Sequence, residues 1–194
     1  MKILMPRLNV AKGKLKSVKW VLLITLWTFG LSVFMSFFSD LILRNTNLFV
    51  SFVVLFFIIL IGILFDVIGI AVTSVDDKPF HAMASRKVIG SIQSIKMIRH
   101  ASKVSNICND VIGDICGIIS GASGTFIVLE ISNIYPDINI ALFTVFMSSL
   151  AAALTVGGKA IGKDIAINHS KIIIKICGRI LYSIESKLKI NILR

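Results

Sequence analysis

The sequence predicts an all-α integral membrane protein, with about four transmembrane helices and two cytoplasmic interfacial amphipathic helices. Three observations carry that expectation. Of the 194 residues, 56% are hydrophobic and only 16% charged, with a mean hydropathy of +0.89, whereas a soluble globular domain is about a quarter charged. The apolar residues gather into runs long enough to cross a ~30 Å hydrocarbon core as helix. The 21 Lys and Arg, which leave a net charge of +11, fall in blocks that alternate with those runs. That pattern suits a lipid bilayer with anionic headgroups. It argues against nucleic acid, because no basic block is interleaved with aromatics or carries a docking motif.

The elements follow in order. Residues 1–19 form a basic cytoplasmic N-terminus holding Lys2, Arg7, Lys12, Lys14, Lys16 and Lys19. The run from Trp20 to Phe38 carries no charge, exceeds a signal-peptide apolar core and lacks a small-x-small cleavage site. It is expected as an extra, uncleaved transmembrane helix within residues 20–43, with Trp20 and Trp27 near one interface. A short polar loop, Arg44 to Asn47, leads into Leu48 to Val72, which is apolar but for Ser51 and Asp66. Residues 76–103 then turn basic, and Val88, Ile92, Ile95 and Ile98 recur at helical spacing. With Asp76 and Asp77 ahead of Pro79 as a helix start, this stretch predicts a juxtamembrane amphipathic helix.

A third span is expected from Val104 to Ile131. Gly113, Gly117 and Gly121 share one stripe of it, and the missing side chains invite close helix packing inside a bundle. The loop 132–139 has no Lys or Arg, and a fourth span runs from Ile140 to about Gly158. The basic residues return beyond it. A C-terminal amphipathic helix over 163–190 sets Ile172, Ile176, Ile180, Ile184 and Leu188 against Lys171, Lys175 and Arg179, which are expected to meet lipid headgroups. With four spans every basic block lies on one side and only Arg44 is out of place, so the positive-inside rule predicts a multi-pass protein of the cell (cytoplasmic) membrane with both termini cytoplasmic.

Function is sought among polar groups within the spans, because a carboxylate at the bilayer centre costs about 2.5–3.5 kcal/mol on insertion scales. Asp66, Asp110 and Asp114 qualify. Asp110 and Asp114 share a helix face that Asn106 extends, and Asn109 lies beside them. Cys108, Cys116 and Cys177 contain no C-x-x-C pair and read as small packing residues. No zincin, Walker, Ser-His-Asp or dinucleotide signature is present, and Gly113-Asp114 lacks the preceding Gly-x of an intramembrane aspartyl protease, so an enzyme is not expected.

The stretch from Phe65-Asp66-Val67-Ile68-Gly69 to Asp76 resembles the end of the first core helix of the CNNM/CorB/CorC magnesium-transporter transmembrane domain. His81 through Lys103 resembles that family's juxtamembrane helix, Val111-Ile112-Gly113-Asp114 its Gly-Asn step, and Gly158-Lys159-Ala160-Ile161-Gly162-Lys163 through His169 its closing Gly-Glu-x-x-Pro-Lys segment. The likeness covers roughly residues 48–185, with a CNNM-like domain set within 44–194. It implies transport of a divalent, magnesium-type cation. Hard-cation chemistry makes Asp66 and Asp114, two acids gained relative to the family, the candidate metal ligands with Asn109 beside them, and three core helices with glycine and alanine faces predict a homodimer. No resident cofactor is implied beyond the magnesium or other cation carried.

The chain departs from the family in placing Lys159 at the Glu position and Gly162 at the Pro position. The alternative is therefore a non-transporting interaction or assembly protein in which Lys159 replaces the ion by pairing with buried carboxylates. No CBS domain is visible in the 194 residues, so any regulatory unit is expected on a separate protein.

Overall fold

The computed structural model describes residues 21–34, 36, 37, 41 and 47–188. The basic segment 1–19, Arg44 and the residues beyond 188 expected in the last helix lie outside them. Among the described residues the chain is helical throughout, with no strand. Helix α1 (Val21–Phe34) is apolar but short over its described length. Helix α2 spans Leu48–Ser74. Next come α3 (Lys78–Ser85), α4 (Ser91–Arg99) and α5 (Ala101–Asn106), then a π-helical segment, Ile107–Ile112, which leads directly into α6 (Gly113–Ile134). Helices α7 (Ile140–Asn168) and α8 (Ser170–Leu188) complete the order.

Three continuous helical stretches are long and apolar enough to cross a membrane: Leu48–Ser74, Ala101–Ile134 and Ile140–Asn168. Predominantly apolar sequence with no internal proline makes them helical, since in lipid only a closed hydrogen-bonded backbone is tolerated. The turn between α6 and α7 is set by Pro136, and Asn139 caps α7 by accepting a hydrogen bond from the Leu142 backbone N–H at 3.2 Å. Helices α2, α6 and α7 pack against one another in a three-helix bundle.

Several sequence-derived boundaries change. The stretch 76–103 is not one helix. Its start is as expected, with Pro79 in the first turn of α3, but the chain breaks where Lys87 and Gly90 take positive φ, 54° and 84°. At Gly90 the break is also a close approach. A Cβ there would lie 2.6 Å from the backbone nitrogen of Arg179 and 2.7 Å from the carbonyl carbon of Gly178, so α4 and α8 meet backbone to backbone. The span expected at 104–131 starts at Ala101 and ends at Ile134, and the one expected to stop near Gly158 continues to Asn168, so the C-terminal helix begins at Ser170 rather than 163.

The apolar core falls into two clusters. One lies toward the loops between α6 and α7 and ahead of α2, around Leu55, Ile59, Ile127, Val128 and Met147. The other lies at the basic end, where Ala71, Val72, Phe80, Ile95, Met97, Ala166 and Ile174 tie the ends of α2 and α7 to α3, α4 and α8. Ser94 fastens this second cluster, its hydroxyl lying 3.0 Å from the Ile174 carbonyl and 3.1 Å from that of Gly90. Gln93 Nε2 donates to Glu185 Oε2 at 2.9 Å. Cys177 is half-buried here, and burial pushes its thiol up from the ordinary cysteine value, in keeping with a packing residue.

Candidate functional site

Between the two clusters the apolar packing is interrupted, and the interruption is built by glycines. Lys159 follows Gly158 and precedes Gly162 on α7. A Cβ at Gly158 would collide with the Ile63 side chain, and one at Gly162 would lie 2.7 Å from Val67 Cγ2. These two glycines therefore bring α7 against α2 at Ile63 and Val67, on either side of Asp66. Gly62 does the same for α6, because a Cβ there would sit 3.1 Å from that of Cys116. The three spans meet at one level.

At that level Lys159 Nζ lies 3.6 Å from Asp66 Oδ1. The Asp66 side chain is 13% exposed and that of Lys159 32%. Helix length explains the match in depth. Asp66 is eighteen residues into α2 and Lys159 nineteen into α7, about 27 and 29 Å along their axes at 1.5 Å per residue. The ammonium also reaches α6: a Cβ on Gly113 would be only 3.6 Å from it. Gly113 leaves room for the lysine tip.

Asn109 completes the junction from the π segment. Its side chain occupies the space above Gly69, where any Cβ would collide with the amide, and Gly69 lies three residues from Asp66 on the same face of α2. Asn109 Nδ2 donates to Ser105 Oγ at 3.3 Å. Its Oδ1 is buried and has no hydrogen-bond partner among the described residues. π-Helical turns are uncommon and concentrate at functional sites, and this one carries the asparagine.

The structure thus pairs Asp66 with Lys159 and sets Asn109 against Gly69, about one turn further along α2, while Asp110 and Asp114 lie on the exposed surface. Both of these acids are exposed and make no ion pair among the described residues. Gly113 and Ile115 take the buried positions around Asp114, and 100° per residue turns Asp114 outward. Among the described residues no three His, Cys, Asp or Glu side chains gather where they could share a metal ion.

The glycine stripe also needs correction. Gly113 is buried, but Gly117 and Gly121 are exposed, with nothing within 4 Å of a Cβ at either. They line an open groove of about 310 Å³ between α6 and α7, opposite Thr144, Ser148 and Ala152. The glycines that do close helix contacts are Gly62, Gly69, Gly158 and Gly162. Their signal was present in the sequence: Gly158 and Gly162 are one turn apart, and Gly62 and Gly69 two turns apart.

Compared with protein-family models, with curated proteins and with solved structures, the chain matches none.

Proposed function

We propose that this chain is a CNNM/CorB-like membrane protein that moves a divalent, magnesium-type cation across the cell membrane, with both termini cytoplasmic and a homodimer as the working unit. The observation that carries the reading is that two buried acceptors near one level of the bundle, Asp66 and Asn109, are incompletely satisfied by the described residues. Asp66 is held 3.6 Å from Lys159, beyond the roughly 2.7–2.9 Å of a charge-assisted hydrogen bond, and the neighbouring Asn109 Oδ1 has no partner. A purely structural buried ion pair is stable only when its remaining lone pairs are satisfied. Carboxylate and amide oxygens are the ligands of hard cations. Lys159 then acts as a tethered counter-charge that covers Asp66 and yields to the arriving ion.

Flux of magnesium into dye-loaded proteoliposomes tests this. The wild-type chain should transport, Asp66→Ala should abolish flux and Asn109→Ala should weaken it. Absence of wild-type flux, or full flux through Asp66→Ala, removes the reading.

One observation favours a second reading. Lys159 already neutralises Asp66 and rests over Gly113, as a permanent lock in a non-transporting assembly protein would. Thermal unfolding separates the two. In the transporter, Lys159→Met loses stability without divalent cation and recovers it when magnesium is added, through binding to the native state. In the lock, magnesium restores nothing.

A further inference from the structure

Helix α8 has three faces rather than two. One face is used inside the molecule: Ile174 is fully buried and Gly178 meets Gly90 and Ser94 of α4. A second carries the cations Lys171, Lys175 and Arg179. The third is bare. Ile172, Ile176 and Ile180 are 56%, 51% and 55% exposed, each one turn after the last, on a helix already secured from the other side.

We propose that this bare face is a lipid-docking surface: α8 lies along the cytoplasmic leaflet with the isoleucines in the acyl region and Lys171, Lys175 and Arg179 on anionic phospholipid headgroups. The occupant follows from chemistry and position. A protein partner would have to cover an isoleucine row that runs beside three like charges, whereas an anionic bilayer offers apolar depth and negative phosphate within a few ångströms of each other. Continuity places the helix there. Only His169 separates it from α7, one of the three helices with the length and apolarity of a span, so α8 starts at the polar end of that helix, beyond Lys163 and Asp164. The inference stands whether or not the chain carries an ion.

The test uses the full chain, with its three native cysteines replaced by alanine, in phosphatidylcholine vesicles with and without phosphatidylglycerol. A fluorophore is attached at Ile176→Cys or, for the polar side, at Ser186→Cys. Brominated acyl chains should quench the label at 176 and aqueous iodide should not, with the reverse at 186. Phosphatidylglycerol should deepen quenching at 176, and each of Lys171→Gln, Lys175→Gln and Arg179→Gln should lower the docking equilibrium by roughly fivefold. Iodide quenching at 176 would show a water-facing helix and overturn the proposal. Protection from both quenchers would show a protein partner, a second copy included, and overturn it equally. Docking that ignores phosphatidylglycerol and all three Gln variants would overturn the headgroup assignment.

Discussion

Asp66 and Lys159 form a pair whose halves depend on each other unequally. Removing the ammonium leaves a carboxylate that is mostly buried, and an uncompensated buried charge costs more than the intact pair returns. We expect Lys159→Met to lower unfolding stability by roughly 1–3 kcal/mol in metal-free detergent, reduced from the fully buried case because Lys159 is a third exposed. The double variant Asp66→Asn with Lys159→Met should regain most of it, and chemical denaturation of all four chains measures the cycle. Gly69→Ala is the second test at this scale. The added methyl takes the space of the Asn109 amide, so stability should fall by about 1–3 kcal/mol and the Asn109 side chain should leave its position, read as an amide shift by NMR. Asp66 was legible in the sequence, because a charge inside an apolar run draws attention to itself, whereas Lys159, just past the span expected to end near Gly158, stood out only through the family resemblance. Asn109 was legible only as a neighbour of acids. Its role depends on a π turn, which no residue pattern announces.

At the level of elements, helix existence followed directly from the apolar runs and the breaks between them did not. The stretch 76–103 has helical periodicity throughout, yet Gly90 bends it so that α4 can lie against α8, a tertiary demand that overrides local preference. The glycines of α6 show the same limit. Spacing alone reports that Gly113, Gly117 and Gly121 share a stripe. It does not report that the stripe beyond Gly113 faces outward. The open groove at Gly117 and Gly121 is the surface we propose for homodimer closure, since small residues let helix backbones approach. Gly117→Leu and Gly121→Leu should leave the chain folded, because each has open space within its own molecule, and should shift the particle from dimer to monomer in size-exclusion chromatography with light scattering.

For the molecule as a whole, the sequence conveyed the all-helical class and the three apolar runs long enough to cross a membrane, which rest on composition and length. What it could not convey is how the two apolar clusters leave a polar gap between them. The gap arises from three helices meeting at Asp66, Gly113 and Lys159, which are 47 and 46 residues apart along the chain, and so from register rather than pattern. The basic end works as a collar. Phe80, Ile95 and Ile174 bind α3, α4 and α8 to the ends of α2 and α7, so the helices that bear the ion pair are joined below it as well as beside it.

The backbone contact at Gly90 and Gly178 offers a way to find kin of this chain where overall similarity has faded. Isoleucine can give way to leucine or valine over most of the bundle, but two main chains touching there leave no volume for a side chain on either. Descendants of the same ancestor should therefore retain glycine at both places, 88 residues apart, together with the Gly158 and Gly162 pair. A search keyed to those four glycines and the distances between them should recognise such chains even after their surfaces have diverged.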